Sequence, residues 1–167
     1  MNPTSSSVPS VRSLVVVPAA ITLAVTALRL ALELLGAPSW LANRDAGGPG
    51  ALAGIVWLPF VFGPWFALRL RAHIASTRAL LAPLARTLVV YGLLARLPVF
   101  LVTIVAVLGE WGTHYDAFPG QFGTAAKIGL GFAFQMGFWA CIWTVVTGML
   151  AGLLVVALRP RSKAAAA

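Results

Sequence analysis

Three ionisable side chains of this sequence fall inside long apolar runs, where an unpaired charge is costly and usually has a function. They are Arg29, Glu33 and Arg96, and the amide of Gln135 lies in another such run. Two arginines facing one glutamate would leave a surplus of positive charge, which suits an anionic headgroup or a small anion. We therefore predict a ligand-binding pocket formed by these four residues.

Each of these residues also has a purely structural interpretation. Arg29 and Glu33 are four residues apart, so they could form an ion pair on one face of a helix. Arg96 could extend its side chain toward the lipid headgroups. Gln135 could hold helices together by hydrogen bonding, as polar residues do in membranes. The sequence leaves these alternatives open.

A second group of reactive side chains lies in the segment between two apolar runs. Glu110, His114 and Asp116 could act as an acid/base group or as metal ligands. Gly112 and Pro119 argue against a regular helix that would present all three together. These three residues are the catalytic candidates of the chain, and a solvated or partner-binding loop is the alternative. We predict no metal site.

The histidines and the cysteine limit the cofactors. The two histidines, His73 and His114, lie in loops that we predict on opposite sides of a membrane, so this chain does not supply both ligands of a bis-histidine haem. The single cysteine, Cys141, cannot form a disulfide within the chain. No cofactor is predicted, and a bound lipid is compatible with the sequence.

The composition determines which elements must position these residues. Of the 167 residues, 60% are hydrophobic and 10% are charged, and the mean hydropathy is +0.92. A soluble domain carries about 25% charged residues, so the excess apolar surface must face lipid. We predict an all-α integral membrane protein, a four-helix bundle with spans at about 14–36, 51–70, 88–109 and 129–157. Residues 14–158 form one membrane domain, between cytoplasmic tails at 1–13 and 159–167.

The basic residues predict the orientation, because positively charged loops are retained in the cytoplasm. The two tails and the 69–87 connection contain no acidic residue and eight basic ones: Arg12, Arg69, Arg71, Arg78, Arg86, Arg159, Arg161 and Lys163. The other two loops contain Arg44 and Lys127 beside Asp45, Glu110 and Asp116. We predict a multi-pass protein of a bacterial inner membrane with both termini cytoplasmic. The net charge of +8 then reflects topology, and nucleic acid is not the expected partner.

The cytoplasmic connection has a helical pattern of its own. Apolar or small residues recur at helical spacing from Leu70 to Leu84, and Arg71 and Arg78 lie on an adjoining face. We predict a short amphipathic helix here, separated from the third span by Pro83. Its partners would be anionic lipid headgroups, and a basic hairpin that only determines topology is the alternative.

The last span carries Gly148 and Gly152, whose spacing permits close helix contact within the bundle or across a homo-oligomer. The first functional hypothesis is therefore a non-enzymatic helix-packing or accessory subunit of a homo-oligomer or a larger membrane complex. The second is a small transporter or channel for an anionic or lipid-like substrate. The third is an enzyme acting on lipid at the outer face.

Overall fold

The computed structural model describes residues 8–42 and 54–159, and within these ranges all regular secondary structure is helical. The chain begins with α1 (Val11–Leu34) and a single turn, α2 (Ser39–Ala42). A 3₁₀ turn (Ile55–Trp57) leads into α3 (Leu58–Arg71), which is followed by α4 (Thr77–Gly109). The last helix is continuous but has three parts: α5 (Thr124–Phe132), a π-helical segment (Ala133–Trp143) and α6 (Thr144–Leu158).

Three of these helices are long and apolar enough to cross a membrane: α1, α4 and the continuous helix from Thr124 to Leu158. The predictions of an all-helical fold and of membrane-length apolar helices are thus confirmed. The predicted second span is represented by α3, whose 14 residues measure about 21 Å. Residues 51–53 of that span lie outside the described residues, as do Arg44, Asp45 and most of both predicted tails. A fourth span therefore stays a prediction.

The long helices alternate in direction around one core. Thr22 of α1 is hydrogen-bonded to Tyr91 of α4 at 2.9 Å, and Glu33 near the end of α1 contacts His114 just beyond the end of α4, so α1 and α4 run in parallel. The last helix runs opposite to α4, because Arg96 contacts Gln135 whereas the earlier Gly92 approaches the later Ala140. α3 runs parallel to the last helix, because Gly63 lies at Gly148 and Ala67 at Gly152. We call the end of the bundle where α1 and α4 finish the loop end, because the 110–123 loop lies there.

Glycines allow α3 and α6 to approach each other closely. A Cβ atom added to Gly63 of α3 would lie 2.3 Å from the carbonyl oxygen of Gly148. One added to Gly152 would lie 3.0 Å from Cβ of Ala67. The face that carries Gly148 and Gly152 therefore packs within the chain, against α3.

The structure contradicts the prediction of a separate amphipathic helix between the second and third spans. Residues 72–76 form a non-helical connection, and α4 then runs without a break from Thr77 through Pro83. The proline removes only one hydrogen bond near the start of α4, and the hydroxyl of Thr87 donates to the Pro83 carbonyl at 2.8 Å. Leu80 and Leu84, both completely buried, belong to the same core as the deeper part of the helix. Packing of this continuous apolar stripe outweighs the break that the proline suggests.

Candidate ligand-binding cavity

A cavity of about 510 Å³ lies between α1, the 3₁₀ turn, α4, the 110–123 loop and the π-helical segment. Three of the four residues predicted to bind a ligand line it: Arg29, Arg96 and Gln135. The fourth, Glu33, binds His114, which is itself a lining residue. Three separate helices thus bring the predicted polar residues together at one place.

Arg96 faces the protein interior and not the lipid headgroups. Its side chain is buried, and Nη1 donates to Oε1 of Gln135 at 3.3 Å. The guanidinium carbon lies 5.0 Å from the ring centroid of Trp139, a cation–π distance. A guanidinium has five N–H donors, so these contacts leave most of them available to a ligand.

Glu33 is paired with His114 and not with Arg29. The carboxylate is buried, accepts the backbone N–H of His114 on Oε1 at 2.6 Å and contacts Nδ1 of the same residue with Oε2 at 2.5 Å. Among the described residues, no ion pair joins Glu33 to Arg29. The alternative interpretation of these two residues, an ion pair on one helix face, is therefore not what the structure shows. Two close contacts from His114, one of them from the backbone, satisfy the carboxylate instead.

The surroundings of His114 favour the neutral form of its imidazole. Burial lowers the pKa of His114, the positive charge of Arg29 lowers it further, and the carboxylate of Glu33 opposes both effects. With the proton on Nδ1, the ring donates to Glu33 and remains uncharged. The ring of Tyr115 lies against the imidazole, with the two ring centroids 3.8 Å apart, and burial raises the pKa of this tyrosine to about 12.

Arg29 has no hydrogen-bond or ion-pair partner within the part of the chain that the structure describes. Its Nε atom is buried without an acceptor. Buried polar atoms of proteins are nearly always hydrogen-bonded, so an orphaned donor at a cavity wall requires an explanation. A ligand with acceptor atoms would provide one.

The loop residues that were candidates for catalysis do not form one group. Asp116 accepts the N–H of Gly112 at 2.9 Å and the N–H and hydroxyl of Thr113 at 2.6 and 2.8 Å. Partial burial opposes a lower pKa of Asp116, but the hydrogen bonds from Thr113 and Gly112 reduce the pKa below its usual value. Glu110 is exposed at the end of α4 in a left-handed conformation, with φ of 49°. Over the described ranges, no three His, Cys, Asp or Glu residues are grouped as metal ligands.

Aromatic rings form much of the remaining wall. Trp139 and Trp143 come from the π-helical segment, and Trp57 and Phe60 come from the 3₁₀ turn and the start of α3. The indole N–H of Trp143 donates to the carbonyl of Val56 at 3.2 Å, which ties the 3₁₀ turn to the last helix. Short π-helical stretches within α-helices occur frequently at functional sites.

Sequence reasoning did not find the part that His114 and Tyr115 play in this cavity. The available signal was Glu33, because a carboxylate in an apolar run near the loop end requires a donor. The 110–123 loop was the nearest source of one. No sequence pattern that we can identify indicated that the 3₁₀ turn would form part of the cavity wall.

Comparison with known protein families, with curated proteins and with solved structures finds no match for this chain. The cavity is therefore the feature of this protein that points to a function.

Proposed function

We propose that this protein is a multi-pass membrane protein that binds an anionic ligand in the cavity between its helices. The observation that carries the proposal is the unpartnered guanidinium of Arg29 in a cavity that also contains Arg96. The nearest carboxylate, Glu33, is already engaged by His114. An anion would supply acceptors for both arginines, and guanidinium groups bind carboxylates and phosphates through paired, charge-assisted hydrogen bonds.

This proposal makes a small transporter or binding protein for an anionic or lipid-like substrate the leading function. The hypothesis of an accessory packing subunit depended on the small-residue face of Gly148 and Gly152, and that face packs against α3 of the same chain. Catalysis at the outer loop depended on Glu110, His114 and Asp116, which are engaged separately or exposed. A binding function uses the residues that the fold brings together.

The proposal includes four spans, a bacterial inner membrane and cytoplasmic termini. The excess of basic residues in the tails and in the connection around Arg78 supports this orientation. The loop end, where His114 and Tyr115 line the cavity, would then face the outside. Labelling of introduced cysteines tests the arrangement in a Cys141→Ser background, with Ser76→Cys and Gln121→Cys as the matched pair; both positions are exposed.

In intact spheroplasts, a membrane-impermeant maleimide should label Gln121→Cys and should label Ser76→Cys only after permeabilisation. If α3 does not span the membrane, α1 and α4 cannot both run outward, and the two positions would no longer differ in this way. Labelling of Ser76→Cys without permeabilisation would refute the four-span arrangement.

The binding proposal is tested by thermal unfolding of the purified protein in a nonionic detergent, because a ligand stabilises the state that it binds. Anionic probes (acetate, phosphate, decanoate) are compared with neutral decanol. At least one anion should raise the unfolding temperature, and Arg29→Gln and Arg96→Gln should remove the shift. Arg78→Gln, an exposed arginine outside the cavity, is the matched control. A shift that is equal for decanol, or that survives both cavity variants, would overturn the proposal.

A further inference from the structure

The rim of the cavity differs from its interior. Of the described lining residues, only Trp57 and Phe60 are highly exposed, at 49% and 43%. The charged lining residues are less accessible, and Arg96 is only 7% exposed. Both rim residues are aromatic, and they belong to a helical segment whose outer surface also exposes Val61. An entrance made of apolar side chains on the outer surface of a membrane bundle opens toward lipid and not toward water.

The charges around the cavity do not cancel. Arg29 and Arg96 contribute two positive charges, and Glu33, bound to the lining residue His114, contributes one negative charge. Burial favours the uncharged form of His114, and Asp116, although negatively charged, does not line the cavity. The remainder is one positive charge. A ligand that neutralises it carries a single negative charge, as a carboxylate or a phosphodiester does.

The apolar wall indicates what the rest of the ligand resembles. Trp139 and Trp143 line the cavity between the rim and the arginines, together with buried Val99. A volume of about 510 Å³ lies within the range of cavities that enclose whole small ligands, about 300–1,000 Å³. A small hydrated anion would leave most of this apolar surface without contacts.

We infer that the ligand is an amphiphile with one negative charge, a carboxylate or phosphodiester head on an apolar body, which enters from the lipid at the rim where Trp57 and Phe60 are exposed. This inference rests on the proposed anion-binding function and names the ligand class. The head would contact Arg29 and Arg96, and the body would lie against the tryptophans. A free fatty acid and a phosphodiester lipid share this chemistry.

The experiment uses the tryptophans of the cavity as reporters. Dibromostearate, whose bromine atoms quench indole fluorescence on contact, is titrated into the purified protein in nonionic detergent. The quenching should saturate, and unbrominated stearate should reverse it whereas methyl stearate should not. Arg29→Gln, which removes a charge that has no protein partner, should weaken the affinity roughly tenfold or more. Trp139→Phe should reduce the quenching, whereas Trp65→Phe, outside the cavity, should not.

Competing ligands distinguish a fatty acid from a phosphodiester lipid, and they also separate amphiphile binding from the binding of anions in general. Reversal by oleate but not by phosphatidylglycerol assigns a fatty acid, the opposite result assigns a phosphodiester lipid, and either supports the inference. If acetate or phosphate displaces the probe equally well, the ligand is a small anion; the inference then fails while the proposed anion binding stands. If methyl stearate competes equally with stearate, the charge does not matter, and both the inference and the proposed function fail.

Discussion

Replacing Glu33 with alanine should detach the 110–123 loop from α1 and destabilise the protein strongly. The carboxylate accepts two hydrogen bonds from His114, one from the backbone N–H at 2.6 Å and one from Nδ1 at 2.5 Å. Alanine would leave both donors without an acceptor in a buried place. Each buried unsatisfied group costs about 1–3 kcal/mol, so the expected loss for the two donors is about 2–6 kcal/mol.

Glutamine at the same position separates hydrogen bonding from charge. In Glu33→Gln the amide oxygen can still accept the backbone N–H of His114. The amide nitrogen can donate to Nδ1 if the imidazole proton moves to Nε2, so both hydrogen bonds survive with a changed tautomer. The remaining loss is the charge assistance of the two bonds, about 1 kcal/mol.

Thermal unfolding followed by intrinsic fluorescence measures the difference. For a chain of this size, each kcal/mol lost from the free energy of unfolding lowers the unfolding temperature by about 2–4 °C. Glu33→Ala should therefore lower the unfolding temperature by about 10 °C and Glu33→Gln by a few degrees. Nitrogen chemical shifts of the imidazole should report the tautomer change in Glu33→Gln. An unaltered unfolding temperature in Glu33→Ala, or equal losses in both variants, would refute the account of this contact.

Three further outcomes follow from the packing and from the loop. Gly63→Ala should lower the free energy of unfolding by about 1–3 kcal/mol or more, because its Cβ would lie 2.3 Å from the carbonyl oxygen of Gly148. The Cβ of Gly137→Ala would meet no atom within 4 Å, so this control variant should be tolerated. Thermal unfolding compares the two variants. Tyr91→Phe should cost about 1 kcal/mol in the same assay, because the buried phenol loses its 2.9 Å hydrogen bond to a threonine of α1. Stability should fall as the pH drops below about 6.5, because the pKa of His114 is lower in the folded state and the unfolded state takes up the proton first. Unfolding temperatures measured between about pH 5 and 7.5 should show this slope, and His114→Gln should flatten it. An unchanged slope in this variant would contradict the role assigned to His114.

The sequence predicted the helices well where the signal was long and apolar. The run predicted at 14–36 ends two residues beyond α1, and the run at 88–109 lies within α4. A stretch of about 20 predominantly apolar residues forms a helix in a membrane environment. The boundary at Pro83 was wrong because a local helix-breaking signal was given more weight than the packing of Leu80 and Leu84 against the core. Sequence alone does not show which side chains of another helix a residue will pack against.

The sequence identified most of the polar residues that line the cavity, but not which residue binds Glu33. Arg29, Arg96 and Gln135 stood out because polar groups are rare in apolar runs, and the fold places all three at one cavity. The i, i+4 rule offered only Arg29 as a partner of Glu33, because this rule considers a single helix. The carboxylate instead receives two donors from His114, which is 81 positions away in the sequence. Such a contact depends on the parallel arrangement of α1 and α4, and no local pattern encodes it.

The surplus of positive charge is also the strongest reason to separate a binding function from a purely structural one. A bundle that only had to pack could fill this position with apolar residues, and replacing buried charges with well-packed apolar groups is often neutral or stabilising. Here the charges are retained, and Arg96 is only partly satisfied, by Gln135 and the ring of Trp139. The carboxylate of Glu33 offsets only one of these two charges, and it is bonded to His114 and not to either arginine in the described part of the chain. The engaged acid and the guanidinium without a partner therefore support the proposal that an anion from outside the chain binds here.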